Sequence, residues 1–386
     1  MLRTLLLFCL AAGGAVILVV AFNLAVFPRL SRTRAIPFPA RWPKVSVVIP
    51  ARDEERAVEQ AVRSQLAQNY PDFEVIVVDD RSRDRTPQIL AELARSDDRL
   101  RVLAGKEPPD GWLGKPHALH QGSETARGEW ILFADADITY HPQTLREAVA
   151  LMEARSLDLV ALLPAFEMRG FWENVLMPYV PLAYFFGPAI LANSDRLRWL
   201  AAGAGAGNLV RRTAYDAAGG HAALRASVVD DVRLAVNVKQ AGFRCWGVRA
   251  EDRLSVRVYR GFFEVWEGFT KNLAYVFKGT FGTLFLILTL LTAIPALLPA
   301  GVLIAALFGA PIGSGDVRLA GMGVAMAVLA RLPVAIALRH PLWTTLTNPL
   351  MVAVWLGITV RSLHRRLVRR EVLWRGRRYD ARGASF

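Results

Sequence analysis

The stretch FADADITYHP, Phe133–Pro142, follows an apolar run, Trp130–Leu132, and sets two aspartates one residue apart where a strand ends. Carboxylates this close repel each other unless a cation lies between them or water solvates them. Asp135 and Asp137 therefore ask what neutralises them. Working outward, the same arrangement recurs. Val45–Ile49 is apolar or β-branched apart from Ser46 and leads to Asp53-Glu54, and Phe73–Val78 leads to Asp79-Asp80. Glu54–Gln68, Pro87–Arg95 and Lys115–Arg127 read as helices, with a short strand at Arg101–Leu103 and a fourth at Trp130–Ala134. Near-continuous apolar strands between helices predict a parallel sheet covered on both faces. Ligands of such sheets bind at the carboxyl ends of the strands, where these acids lie.

The chain has 386 residues, enough for two or three domains. It is 53% hydrophobic with a formal net charge of +13, and its mean hydropathy of +0.27 is high for a soluble enzyme. The basic residues cluster beside apolar segments, which points to a membrane and not to nucleic acid. Cys9 and Cys245 are the only cysteines, so neither a disulfide framework nor a zinc site is readable.

Thr4–Phe27 carries no charge and is long enough to span a bilayer. A cleaved signal peptide has a shorter apolar core and a small-residue cleavage site, whereas this run ends in Phe27-Pro28-Arg29. An uncleaved anchor over 1–28 is the expectation. Arg29, Arg32 and Arg34 follow it and Arg3 alone precedes it, so the positive-inside rule predicts a cytoplasmic domain next. A linker with Pro37, Pro39 and Pro43 leads to that catalytic domain at 44–257, then an interfacial helix at 258–278, apolar helices at 279–363 and a basic tail at 364–386. The expected location is the inner or plasma membrane, crossed more than once.

Gly279–Gly315, with Pro295 and Pro299 inside, reads as one kinked span. Leu319–Leu338 and Trp343–Val360 are further candidates. Three full spans after the anchor would put the tail (Arg365, Arg366, Arg369, Arg370, Arg375, Arg377, Arg378) outside, against the charge rule. The last segment, broken by Asn348-Pro349, is therefore expected to be re-entrant or interfacial. Within the catalytic domain, no charge lies between Glu173 and Asp195, while Phe171, Trp172, Tyr179, Tyr184, Phe185 and Phe186 crowd there with Pro178, Pro181 and Pro188. This is either a core insertion or a pair of in-plane helices on the membrane. Aromatic preference for the interface favours the second.

In order, the acidic blocks are VVIPARDEE, VVDDRSRDRTP, FADADITYHP and SVVDDVRLA. This order resembles the family 2 glycosyltransferases of the GT-A fold. The first block is similar to that family's P-x-N-E-E, with Asp53 where Asn is frequent, and the second to V-D-D-G-S-x-D-x-T, with Arg81 in place of Gly. The third is similar to D-x-D and the fourth to E-D, with Asp230 in place of Glu. Gly114-Lys115 with Ala118-Leu119, VYRGFFEVWEGFTKN at Val258–Asn272 and WRGRRY at Trp374–Tyr379 resemble membrane-bound members associated with hopanoid, carotenoid or ceramide glycosylation.

The resemblance implies an α/β, Rossmann-like GT-A domain flanked by transmembrane helices. It also implies a nucleotide-sugar donor, a lipid acceptor and Mg²⁺ or Mn²⁺ to offset the leaving diphosphate. It assigns metal contact to Asp137 and Asp135, with Asp135 also near the sugar or ribose. Pro50, Asp53, Glu54 and Asp80 fall to the nucleoside end, Lys115 to a phosphate or the sugar, and Asp230 beside them. Asp231 is the candidate base, and direct attack would invert the anomeric centre. Purely structural alternatives exist: an Asx turn before a helix near Pro142, a charged first helical turn at Asp53-Glu54, and a surface role for Lys115. His117, His120 and His141 read as structural.

GAGAGNLVRR, Gly203–Arg212, fails the dinucleotide template because Asn208 stands where the third Gly belongs. In the family such a run precedes a strand near the acceptor site, and Gly219-Gly220-His221 is expected as a flexible loop at the same mouth. Processive synthases carry Q-x-x-R-W; here Phe262 and Val265 replace Gln and Arg, and only Trp266 survives. That favours a single transfer to a lipid over a polysaccharide synthase. Arg257, Arg260 and Trp266 are candidate diphosphate or acceptor contacts; Arg257, Arg260 and Lys271 could supply positive charge to the diphosphate, and the alternative is that these cations bind lipid headgroups. An inactive membrane scaffold would have lost acidic strand tips, and all four remain.

Overall fold

The computed structural model describes residues 1–187, 189–276, 280–369, 371–374 and 377–380. In chain order its elements begin α1 (Leu2–Val26), β1 (Val45–Ala51), α2 (Val58–Leu66), β2 (Phe73–Asp79), α3 (Thr86–Ser96), β3 (Leu100–Ala104) and α4 (Gly114–Thr125). They continue β4 (Trp130–Phe133), β5 (Ile138–Tyr140), α5 (Thr144–Arg155), β6 (Leu159–Leu163), β7 (Ala165–Phe166), α6 (Phe171–Leu176) and α7 (Tyr179–Phe186). Then come β8 (Asn208–Arg211), α8 (Arg212–Ala217), α9 (Asp230–Gln240), β9 (Cys245–Arg249) and β10 (Leu254–Val256). The last helices are α10 (Gly261–Val276), α11 (Thr280–Leu307), α12 (Ser314–Ala330), α13 (Leu332–Ala337) and α14 (Asn348–His364).

The chain forms two compact units. One holds Pro28–Glu167 and Leu191–Val258, and the other Met1–Phe27, Met168–Ile190 and the chain from Tyr259 on.

The first unit is built on a seven-stranded sheet of order β3-β2-β1-β4-β8-β6-β9. Its central strands are apolar on both faces because helices cover both; Val45, Val47, Val48, Ile49 and Val75–Val78 have no exposed surface. β1 pairs in parallel with β2 and β4, and β2 with β3. The all-parallel expectation fails beyond β4, because β8 runs antiparallel to both β4 and β6. Between β6 and β8 the chain passes through α6 and α7, which belong to the other unit, so no α-helix of the sheet unit makes the crossover that parallel neighbours need. This reversal sets Asn208, at the start of β8, opposite Phe133, at the end of β4. The glycine-rich run before β8 is thereby delivered to the acidic tip. Pro50 sits at the end of β1 beyond the last β4 partner, Val48↔Phe133, so its missing N–H costs no ladder bond there.

In the second unit, four helical stretches are long and apolar enough to cross a membrane: Leu2–Val26, Gly282–Leu307, Ser314–Ala337 and Leu342–Leu367. α11 continues through Pro295 and Pro299. Asn348-Pro349 does not break the last stretch but begins α14, where a proline in the first turn lacks only an N–H that would be unbonded anyway.

The aromatic segment is a correction to the expected domain limits. Met168–Ile190 belongs with the apolar helices and not with the sheet. Nor do α6 and α7 lie as free in-plane helices. Tyr179 is fully buried, stacks on Trp355 with centroids 4.6 Å apart and donates to Thr289 Oγ1 at 3.2 Å. The carbonyls at the end of α6 are claimed by two long side chains. Arg331 donates to the Asn174 and Val175 carbonyls, and Trp355 Nε1 to Leu176 O at 2.9 Å. Helix-end carbonyls buried without such donors would be costly. Pro188 lies outside the described residues, as do the Arg370 and Arg375 positions of the tail.

On α10, Val265 is buried and Phe263 is 80% exposed. Trp266 stacks on Phe262 (5.7 Å) beneath the Arg361 guanidinium (5.7 Å), and Glu267 pairs with Arg361 at 2.6 Å and Arg365 at 2.9 Å.

Candidate active site

The site is assembled from loops that leave the carboxyl ends of β1, β2 and β4. At the β1 tip Asp53 holds φ +53° and at the β2 tip Arg81 holds φ +58°. Asp and Asn tolerate this left-handed region better than other side chains, and glycine adopts it freely. The geometry thus gives a reason for the Asn and Gly of the family blocks at these two positions. α2 begins only at Val58, so Asp53 and Glu54 belong to a loop and not to a first helical turn. The two loops are stitched together: Arg83 N donates to Asp53 Oδ1 (2.7 Å), Asp53 N to Ser82 Oγ (3.0 Å) and Glu54 N to Thr86 Oγ1 (2.8 Å). Asp80 is buried and takes the Arg52 guanidinium at 3.3 Å, with Arg81 at 3.5 Å. Sequence reasoning missed Arg52. Its alternation with Asp53 and Asp80 carried no signal until the fold brought the loops together.

Past β4, Asp135 is fixed by its backbone N–H, which donates to Gly205 O at 2.9 Å. Lys115, in the first turn of α4, reaches Asp135 Oδ1 at 2.6 Å and Asp230 Oδ1 at 3.7 Å. Lys115 is therefore a partly buried, ion-paired lysine and not a free surface one. Burial alone would lower its ammonium; Asp135, then Asp230 and Asp231, outweigh burial and hold it above its ordinary value. Asp137 lacks such a partner. Burial, then the Asp135 and Glu54 charges, push its carboxyl up to about 7. β5 follows Asp137 directly and α5 starts at Thr144, so Asp137 does not cap a helix. His141 shapes that turn, its Nδ1 accepting from Gln143 N at 3.2 Å.

Asp230 and Asp231 open α9. Asp230 is buried, and burial pushes it up to about 7 despite Lys115, with Asp231 and Asp135 adding to the rise. Asp231 is more open and accepts the Val232 N–H at 2.8 Å. Asn208 ties this helix start to the glycine run: its Nδ2 donates to Asp231 O (3.0 Å) and its Oδ1 accepts from Ala204 N (3.1 Å). The residue that broke the dinucleotide template is thus what the site needs there. The glycines allow close approach. A Cβ on Gly203 would lie 2.3 Å from Asp231 O, and one on Gly205 2.5 Å from Asp135 Oδ2.

Lys115, Asp135, Gly205, His221, Asp230 and Asp231 line one small, partly open cleft. The expectation of a flexible loop at Gly219-Gly220-His221 is overturned: His221 is 1% exposed and bonded to Tyr215. Arg257 belongs to the same unit as the cleft but does not line it, whereas Arg260 and Trp266 fall in the apolar-helix unit. There Arg260 N donates to Glu264 Oε2 at 2.8 Å.

Among the described residues, no three carboxylate, imidazole or thiol side chains converge as a complete metal cage. The donor set nonetheless fits a hard divalent ion that takes its remaining oxygens from phosphates and water. Asp137 is a mostly buried carboxylate without a cation of its own, two residues from Asp135, and such a group is stabilised by a bound divalent charge.

The glycosyl transferase family 2 model matches residues 46–232. These residues form a family 2 glycosyltransferase domain. They contain the acidic residues of all four blocks and every residue lining the cleft except Leu234. Over 184 residues the chain is 33% identical to a beta-monoglucosyldiacylglycerol synthase of Trichormus variabilis, covering 46% of this chain and 38% of that protein. It is 25% identical over 239 residues to a 4,4'-diaponeurosporenoate glycosyltransferase of Staphylococcus haemolyticus, covering 60% and 61% of the two chains. The chain thus spans less than two thirds of either of these curated relatives, 38% of the first and 61% of the second. A mannosyltransferase from Pyrobaculum calidifontis, solved with GDP-Man and Mn²⁺, shares the fold with a TM-score of 0.57 at 19% identity, over 96% of this chain and all of that one. The GT-A fold of the family 2 domain is therefore seen both in sequence and in backbone.

Proposed function

We propose that the protein transfers a sugar from a nucleotide-sugar donor to a lipid acceptor at the cytoplasmic face of a membrane, with inversion. The observation that carries this is the single cleft in which Asp231 faces Asp135 and Lys115, in a chain with four membrane-length helices. The lipid named for one relative and the carotenoid acid named for another support an acceptor of that class.

In this reading Asp53, Glu54, Arg52 and Asp80 hold the nucleoside end. Asp135 and Asp137 hold Mg²⁺ or Mn²⁺, which offsets charge on the departing diphosphate. Asp231 takes the proton of the acceptor hydroxyl as its oxygen bonds to the anomeric carbon and the bond to the diphosphate breaks. Asp230, whose carboxyl burial pushes up to about 7, carries only part of a negative charge near neutral pH and so lessens the repulsion on Asp231.

The test uses membranes containing the full chain, labelled nucleotide sugars and separation of extracted lipids. One donor is expected to label a lipid, chelation to stop it, and Asp231→Asn to slow it by about 10²–10⁴-fold, the usual worth of general-base catalysis. Label in an insoluble polymer, or unchanged activity in Asp231→Asn, would overturn the reading.

A further inference from the structure

His221 has no part in the reaction as derived, yet it lines the cleft beside Lys115, Asp135 and Asp231. The sequence builds its place with care. Gly220 holds φ +53°, and a Cβ there would lie 2.9 Å from the Tyr215 ring, so the turn before His221 needs glycine. The imidazole meets the Phe133 ring edge-on at 4.5 Å.

Counting hydrogens fixes the tautomer. Ser123 Oγ donates to His120 O at 2.8 Å, which uses its only hydrogen. Tyr215 then donates its one hydroxyl hydrogen to Ser123 Oγ, at 3.0 Å. The 2.9 Å contact between the Tyr215 oxygen and His221 Nδ1 consequently has its hydrogen on Nδ1. The His221 backbone N–H, 3.0 Å away, fills the remaining capacity of that oxygen. Burial, then the Lys115 charge, depress the imidazole to about 3, so the ring is neutral at physiological pH. A neutral imidazole has one N–H, and it is on Nδ1. Nε2 is left as a bare lone pair, and among the described residues none makes a hydrogen bond to it.

A fixed lone pair in a cleft selects a donor group. Diphosphate oxygens and carboxylates repel it, and hard divalent ions prefer oxygen. Hydroxyl groups fit it. We propose that His221 Nε2 accepts a hydrogen bond from one hydroxyl of the donor's hexose and so selects among sugars. This rests on the transferase reading above. A site that leaves a buried acceptor unpaired when that hydroxyl is missing discriminates strongly.

The experiment uses the full chain in detergent with UDP-glucose, UDP-galactose, UDP-N-acetylglucosamine and GDP-mannose, then the monodeoxy forms of the donor that reacts best. The parent is expected to lose roughly ten- to a hundredfold in kcat/KM for one deoxy position only, the usual worth of one hydrogen bond to a buried acceptor. His221→Phe, which keeps an aromatic ring against Phe133, is expected to lose as much on the intact donor and to treat the two donors alike. His221→Gln, with an amide oxygen as acceptor, is expected to restore part of the discrimination. Ring ¹⁵N spectra of the parent at pH 7 are expected to show Nδ1 protonated and Nε2 bare. Discrimination unchanged in both variants, loss of the Mn²⁺ thermal shift in His221→Phe, or the opposite tautomer would overturn the proposal. A parent with no transfer from any of the donors would bring down the transferase reading first, and this inference with it.

Discussion

Arg81 pays a backbone cost for its place at the β2 tip. A non-glycine side chain at φ +58° costs about 1 kcal/mol relative to glycine. Its ion pair with Glu107 at 3.0 Å is with an 85% exposed side chain and offsets little. Arg81→Gly is therefore expected to stabilise the sheet unit by up to about 0.5 kcal/mol, read as a slightly raised Tm, since the glycine's extra unfolded-state freedom cancels much of the gain. A lowered Tm would show that the Asp80 and Glu107 contacts outweigh the strain. Asp137 makes a pH prediction. Its folded pKa of about 7 lies above the unfolded value near 4, so in metal-free protein its contribution to stability falls as pH rises from about 4 through 7. A divalent ion must displace that proton below pH 7. The Tm increase on adding Mn²⁺ is expected to grow from pH 5.5 to 7.5 and then level off. A shift independent of pH would remove Asp137 from the metal site.

At the scale of elements, Arg331 is the decisive side chain of the apolar helices. It is fully buried, and its hydrogen bonds go to the Asn174 and Val175 carbonyls and to Thr347 Oγ1 at 3.1 Å. Arg331→Met keeps the volume but strips donors from buried carbonyls, which costs about 1–3 kcal/mol for each group left unpaired. Lower thermal stability with greater protease sensitivity near α6 is the expected result, and wild-type behaviour on both counts would refute it. The sequence made the strands and the acidic tips readable, because apolar runs and clustered carboxylates are local signals. The β8 reversal was not local: it depends on which strand Asn208 meets. Nor was the placement of α6 and α7, since aromatic composition alone does not distinguish an interface from a helical core. Lys115 was a candidate from the sequence, but its pairing with Asp135 and Asp230, and the place of His221 beside them, became visible only when α4, β4 and α9 converged.

On the scale of the whole molecule, the chain visits the apolar-helix unit three times: before Pro28, between Met168 and Ile190, and after Val258. β6 is made before the middle visit and its partners β8 and β9 after it. Trimming the two ends alone would therefore not yield a water-soluble catalytic domain, because the excursion with Tyr179 and its neighbours would be left uncovered. A ribosome making this chain meets the same constraint in time. Five of the seven strands emerge, then an oily segment, and only afterwards β8 and β9, which complete the sheet, together with α9, which carries Asp231. The proposed site is thus completed late in synthesis, after two of the three apolar stretches of the chain have already left the ribosome.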